Sequence, residues 1–399
     1  MAKGAALSPA SAPLDPEVVR LLNDVGHSRI RELSAQVDRT QEFSRELWEL
    51  VCDIGLPSLP FPEAAGGGGS FRAYVDGIEE VASHGAVAAL YSGPTVQVAS
   101  AVARFGTSGQ QDRWGKGLIG GGLLGAWSFT EPQTGSDPRQ IRTRATRTGD
   151  GWLIQGSKMF TSFAAYADVA LVFARTHEDR LGAFLVDTRL EGWQPGPPIK
   201  MMAFGGQGTA PVTIDVVVPE SALLGPVDAG FDIMVGTEAE AKVRASAICV
   251  GVGRRAVDEA TLYASQREHR GEPIGHKFAT IQVNLGEMAA GVMAARAFVH
   301  RAAEAVDSRD PELKVIAAAA RIVCARMARE VTSLALQVCG AYGFTQEMVL
   351  ERLYREGKFY EVGQGVIELQ KLIVGRSLLP ARPRLTPGPG SRGEENERS

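Results

Sequence analysis

The chain has 399 residues, 44% hydrophobic and 22% charged, which is enough to bury a large core over two or three sub-domains and excludes a disordered or membrane-embedded class. Its net charge of −4 offers no basic surface for nucleic acid. The four cysteines are scattered without a Cys-x-x-Cys pair, and the six histidines lack ligand spacing. This pattern predicts a reduced, intracellular, cytoplasmic protein without a metal site.

Residues 1–13 are rich in Ala, Ser and Pro and lack the basic start and apolar block of a signal sequence. No apolar run stands out as membrane-spanning. Over 16–122 the hydrophobic period is helical, with Val18, Leu21, Leu22 and Val25 on one face and Leu47, Leu50, Val51 and Ile54 on another. Gly66 to Gly69 form a break between helices. They precede no strand-to-helix phosphate motif and carry no Lys, so they read as a loop.

Over 126–227 the period changes to two. Trp152-Leu153-Ile154, Val169 to Phe173, Ala183 to Val186 and Val212 to Val218 read as strands. Asp150-Gly151 signals a hairpin, and Pro195, Pro198, Pro211 and Pro219 sit at strand margins, as in an antiparallel barrel or sandwich. Long Ala-rich helices follow over 239–267, 280–308 and 311–338, with Asp310-Pro311 as a start signal and Gly340 as a stop. They predict a close-packed four-helix bundle. The fold class is α+β: an N-terminal helical domain (14–125), a middle antiparallel β-domain (126–228), a C-terminal bundle (229–382) and a disordered tail (383–399).

Two segments carry the chemistry. Thr130-Glu131-Pro132-Gln133-Thr134-Gly135-Ser136-Asp137 reads as a strand end entering a Gly/Ser turn that can present N–H groups to an anionic or electron-rich cofactor. Gly156-Ser157-Lys158-Met159-Phe160-Thr161-Ser162 reads as a strand bringing an aromatic and hydroxyls back to the same place. Together they resemble the flavin signature of the acyl-CoA dehydrogenase family, usually T-E-P-x-x-G-S-D and then N-G-x-K-x-aromatic-I-T-N. The resemblance covers about residues 15–380 and follows the same helical, β, helical order.

The resemblance implies FAD. It sets Phe129 and Thr130 along the isoalloxazine, Gly135 and Ser136 where the turn meets the pyrophosphate, Phe160 flanking the ring and Ser162 near N5. Arg267 opens Arg-Glu-His-Arg-Gly, similar to the family's R-x-x-F-G, with Arg270 in place of Phe. Gln337-Val-Cys-Gly340-Ala341-Tyr-Gly-Phe344 is similar to Q-x-x-G-G-x-G-F/Y, with Ala341 in place of Gly. In the family both segments reach the flavin of a neighbouring subunit, which implies a homodimer or homotetramer. The resemblance also puts Val366 and Glu368 on the flavin side of a helix start.

The family's catalytic Glu lies in R-D-A-x-x-x-x-I-Y-E-G-T. Anchored on Arg355, Lys358, Gly365 and Gln370, that position is Gln364 here, and a neutral amide cannot accept the α-proton. Three explanations stand open. The base sits on the first long bundle helix, where Glu240 or Ala241 matches depending on the anchor; or Glu361 or Glu368 substitutes; or the reaction needs no α-base, as in a flavin monooxygenase. Phe163-Ala164-Ala165 replaces N-A/G-G beside the flavin and alters the substrate cavity, and Lys242 takes the place of an Arg that meets the CoA nucleotide. The expected function is FAD-dependent α,β-dehydrogenation of an acyl thioester on CoA or a carrier protein. Electron-transfer flavoprotein or oxygen would be the acceptor. The alternatives are a monooxygenase or a catalytically silent binding protein of the same fold.

Overall fold

The computed structural model describes residues 12–149, 151–177 and 180–380. The expected disordered tail over 383–399 lies outside them. Helices come first: α1 (Pro16–Val25), α2 (Arg31–Thr40), α3 (Arg45–Asp53), α4 (Phe71–His84), α5 (Ala86–Phe105), and the short α6 (Ser108–Gln110) and α7 (Lys116–Ile119). Their starts follow from capping chemistry. Asp15 accepts from the Glu17 N–H with Pro16 in the first turn, Ser44 caps α3 through Leu47, and Ser70 caps α4 through Ala73. In α1, Leu22 is buried but Leu21 is 56% exposed, so the stripe that packs on α4 is narrower than its apolar pattern. Among the described residues α5 alone is long and apolar enough to cross a membrane, and 89% of its most apolar window is buried inside the protein. It is the core helix of this half. The sequence reading passed over it because Ser, Thr and Gln interrupt its run.

The middle region holds β1 (Gly125–Ser128), β2 (Arg144–Thr148), β3 (Gly151–Thr161), β4 (Val169–His177), β5 (Arg180–Asp187), β6 (Trp193–Pro195) and β7 (Ala210–Pro219). They form one sheet ordered β1-β4-β2-β3-β7-β6, with β5 also on β4. The expected β2–β3 hairpin forms, Thr148 facing Gly151. The sheet is not purely antiparallel as expected: β1 runs parallel to β4, and Arg144 of β2 meets Arg175 of β4 in parallel. The chain leaves β1, makes the β2–β3 hairpin and returns beside β1 in the same direction, a crossover that no strand-length pattern encodes.

The C-terminal part is α8 (Gly230–Gln266), α9 (Ile274–Lys277), α10 (Ala279–Asp307), α11 (Leu313–Cys339), α12 (Leu350–Val362) and α13 (Ile367–Ser377). Helices α8, α10, α11 and α12 make the bundle; α4 and α5 pack on α8, and α13 packs on α11. Close approach sets its composition: a Cβ on Gly251 would stand 2.5 Å from the Glu79 carbonyl of α4. α8 starts at Gly230, well before the expected 239. α11 starts at Leu313, after a tighter turn in which Asp310 holds the Glu312 N–H at 2.8 Å. Gly340 ends α11 at φ 58°, a conformation that glycine adopts without strain.

Candidate active site

One wall of the site is the turn after β1. Glu131 and Thr134 close it with two backbone bonds of 2.9 and 3.1 Å, and the Thr134 hydroxyl donates to the Asp137 carbonyl at 2.7 Å. The buried Glu131 carboxylate accepts from the Arg142 N–H (2.6 Å), the Thr143 N–H (2.9 Å) and hydroxyl (2.6 Å), and Lys158 Nζ (2.9 Å). Lys158 is fully buried and also donates to the carbonyls of Phe129 (3.1 Å) and Phe173 (2.6 Å). Burial works to raise the Glu131 carboxyl, but Lys158 and the hydrogen bonds outweigh it and hold the group at about 2. Burial lowers the Lys158 ammonium to about 8 against the pull of Glu131. The pair is ionised at neutral pH. Glu131 and Lys158 therefore act as scaffold, and Gly135 and Ser136 are left exposed at the tip; among the described residues their N–H groups have no acceptor.

β3 runs behind this turn, and the Met159 N–H donates to the Thr130 carbonyl at 2.8 Å. Its register against β7 slips between Lys158 and Thr161, and in that bulge Phe160 takes φ 56° with its ring 53% exposed. A bulky residue held in the left-handed region is strained, and here the strain sets an aromatic plate outward beside Thr130. Ser162 Oγ lies 3.4 Å from Gln207 Oε1 and 3.4 Å from Thr209 Oγ1. Phe163, expected at the substrate, is fully buried; its ring packs 5.7 Å from Phe43 and 5.5 Å from Tyr91. It braces the junction between the helical and β regions.

The opposite wall is the 363–366 loop between α12 and α13. Gln364 (φ 54°) and Gly365 (φ 87°) form a left-handed corner. Buried Arg321 of α11 donates to the Gly363 carbonyl at 2.9 Å, and Gln370 Nε2 donates to the Gly365 carbonyl at 3.4 Å. Gln364 Oε1 is buried without a partner. Phe359 of α12 packs 4.9 Å from Phe204, at the start of the turn that carries Gln207, so this loop and Ser162 face one junction.

Helix α8 passes beside the loop, and its carboxylates diverge. Glu238 Oε1 lies 3.8 Å from where a Cβ on Gly365 would stand and pairs with Lys242 at 3.0 Å. Glu240 turns the other way: it bonds Arg104 at 2.8 Å, and burial raises its carboxyl with Arg104 opposing. Lys242 is buried next to Glu238, and burial lowers its ammonium. Glu361 pairs with Arg329 at 2.9 Å, and Glu368 is exposed, as its place in the first turn of α13 allows. Val366 is the residue before that helix. Sequence reasoning missed Glu238. The signal was present: residues four apart on a helix lie about 40° apart around its axis, so Glu238 shares the face of Lys242.

Arg267, Gln337, Gly340 and Ala341 stand elsewhere. Arg267 closes the far end of the 37-residue α8, and its neighbour Tyr263 packs 6.3 Å from Tyr342, beside Gly340 and Ala341. From Lys242 to Arg267 is about 37 Å at the helical rise. The four are exposed and adjoin one another, away from the Gln364 loop.

An exposed aromatic plate, a pinned turn with open amides and an orphaned Gln364 carbonyl suit a flat heteroaromatic cofactor with an anionic arm. Set between a β-domain and a helix bundle, they define the class of FAD-dependent oxidoreductases of acyl thioesters. The acyl-CoA dehydrogenase N-terminal, middle and C-terminal domain patterns match residues 17–122, 126–217 and 228–379. A probable acyl-CoA dehydrogenase, YngJ, of Bacillus subtilis is 33% identical over 374 residues, 92% of this chain and 98% of its own. The 3-(aryl)acrylate reductase of Clostridium sporogenes is 32% identical over 371 residues, 91% of this chain and 98% of its own. The structure of butyryl-CoA dehydrogenase from Megasphaera elsdenii superposes with a TM-score of 0.88 at 30% identity, over 91% of this chain and 97% of that one. The chain belongs to the acyl-CoA dehydrogenase family.

Proposed function

We propose that the protein oxidises the Cα–Cβ bond of an acyl thioester and that Glu238 takes the α-proton in place of a carboxylate at position 364. The observation that carries this is the placement of Glu238 Oε1, 3.8 Å from a Cβ position on Gly365. Glu238, Glu240 and Glu361 are each ion-paired, with Lys242, Arg104 and Arg329, and Glu368 is exposed; what separates Glu238 from the others is its place beside the loop. FAD supplies the hydride acceptor when bound. The chain's own task is the proton, which passes to Glu238 Oε1 while Lys242, 3.0 Å away, orients the carboxylate. Gln364 contributes an amide that accepts a hydrogen bond but no proton.

Phe129, Thr130, Gly135, Ser136, Phe160, Ser162 and the 364–368 segment hold the flavin of their own chain in this reading. Arg267, Gln337, Gly340 and Ala341 serve the flavin of a second copy, a reading that their separation along α8 from the Gln364 loop supports. Tyr342 and Phe344, 54% and 88% exposed beside them, supply apolar surface for that contact.

The test is anaerobic mixing of holoenzyme with butyryl-CoA, read as flavin bleaching. Glu238→Gln should keep its flavin and bleach roughly 10²–10⁴ times more slowly. Adding Gln364→Glu to that variant should restore at least part of the rate, and Glu240→Gln alone should leave it nearly unchanged. Wild-type bleaching in Glu238→Gln would remove the assignment. Failure of both acyl-CoA and acyl-carrier-protein thioesters to bleach the native protein would remove the function.

A further inference from the structure

The interior beneath the 363–366 loop holds two buried guanidiniums that no carboxylate meets in a direct ion pair, although Glu240 and Glu356 act on the same neighbourhood from farther off. Arg244 on α8 and Arg321 on α11 are 2% and 0% exposed. Among the described residues neither has a carboxylate within ion-pairing distance, because Glu240 is committed to Arg104 and Glu238 to Lys242. Arg244 Nη1 donates to the Gly93 carbonyl of α5 at 2.9 Å, and its Nε has no acceptor. Arg321 Nη2 donates to the Gly363 carbonyl at 2.9 Å, and its Nε and Nη1 have none. Buried Tyr360 is a third such group: its ring lies 5.2 Å from the Arg321 guanidinium and its hydroxyl is unpartnered. Burial pushes that hydroxyl well above its ordinary range while both guanidiniums oppose, so the three groups share one electrostatic neighbourhood.

A buried donor left unpaired is destabilising, and a buried charge without a counter-charge more so. An alkyl chain would relieve none of this. An oxyanion would accept from these donors and cancel the charge, with bidentate geometry available at a guanidinium.

We infer that the acyl group handled here is short and ends in a carboxylate, which Arg244 and Arg321 bind. The inference rests on the acyl-thioester reading above. Arg244 lies six residues beyond Glu238, about 9 Å along the axis of α8 and about 120° around it toward α5, which suits a short chain that starts near Glu238 and turns its acidic end inward. Arg321 connects the two ends, because its remaining nitrogen holds the carbonyl next to Gln364.

Dithionite-reduced holoenzyme, in which no turnover occurs, can be titrated calorimetrically with glutaryl-CoA and with pentanoyl-CoA. The two acyl groups have the same carbon count and differ at the terminal carboxylate. Glutaryl-CoA should bind at least tenfold more tightly. Arg244→Gln should abolish that preference while changing pentanoyl-CoA affinity less than threefold and leaving flavin content unchanged. Arg244→Lys, which keeps the charge should the amide fail to fold, should retain part of the preference. Equal affinities in the native protein, or a preference that survives Arg244→Gln, would overturn the inference. If neither thioester binds, the acyl-thioester reading itself fails; binding without preference sinks only the carboxylate.

Discussion

The two walls of the site differ in how completely they satisfy themselves. On the sheet side, Glu131 and Lys158 are buried together and all their polar atoms have partners within the chain. On the bundle side, buried Arg321, Arg244 and Tyr360 and half-buried Gln364 carry buried polar atoms that have none. The sheet wall is also where the family motif is kept, and the bundle wall holds Gln364, the residue that the sequence resemblance sets at the family's catalytic Glu. A buried pair closed on itself serves as a frame for a cofactor common to a whole family. A wall with groups left over is free to be read by a particular substrate.

The largest effect should come from opening the closed wall. Lys158→Met leaves the Glu131 carboxylate buried without its cation and should cost roughly 3–5 kcal/mol in urea unfolding, with loss of bound flavin. Unchanged stability would mean that the pair is not what holds the turn. Acid tests the same frame more gently. The Glu131 carboxyl is depressed to about 2 in the fold, so its contribution is fully present above its ordinary value of 4.5 and is lost as pH falls toward 2. That loss is on the order of 3 kcal/mol, and Glu131→Gln should flatten it.

A group on the bundle side has the opposite sign. Burial raises the Glu356 carboxyl to about 7, with Arg352 opposing. The folded state then keeps a proton that the unfolded chain releases, so stability falls as pH rises from about 4.5 to 7. Glu356→Gln should remove that slope, about 1–3 kcal/mol across the interval. A chevron midpoint that still drops between pH 5 and 7 in this variant would assign the slope to another group. The smallest effect belongs to Arg104→Ala, which breaks a partly exposed pair with Glu240. Only ~0.2–1 kcal/mol in thermal unfolding is expected, with the bleaching rate retained. A large loss of rate instead would return Glu240 to the chemistry.

Much of the frame was legible in the chain. Alternation marked β7 and short apolar runs marked β3, β4 and β5, Gly340 marked the end of α11, and the two motifs marked the turn at 130–137 and the strand behind it. The misreadings share a cause. Leu21 belongs to an apolar pattern but faces solvent, because which half of a stripe is buried depends on the helix opposite. The parallel pairing of β1 with β4 depends on where the chain returns, and Glu238 was passed over because the anchors used for its helix named 240 and 241.

From the order of residues alone came the succession of helices, sheet and bundle, the flavin-type turn and the expectation that Gln364 stands where the family carries its carboxylate, because period, caps and local motifs act over a few neighbouring positions. Packing decided which α8 carboxylate meets the loop, since one residue of helix turns a side chain by about 100°. Packing also decided that Arg244, Arg321 and Tyr360 share an interior without a direct ion pair, because their partners come from helices far apart in the chain.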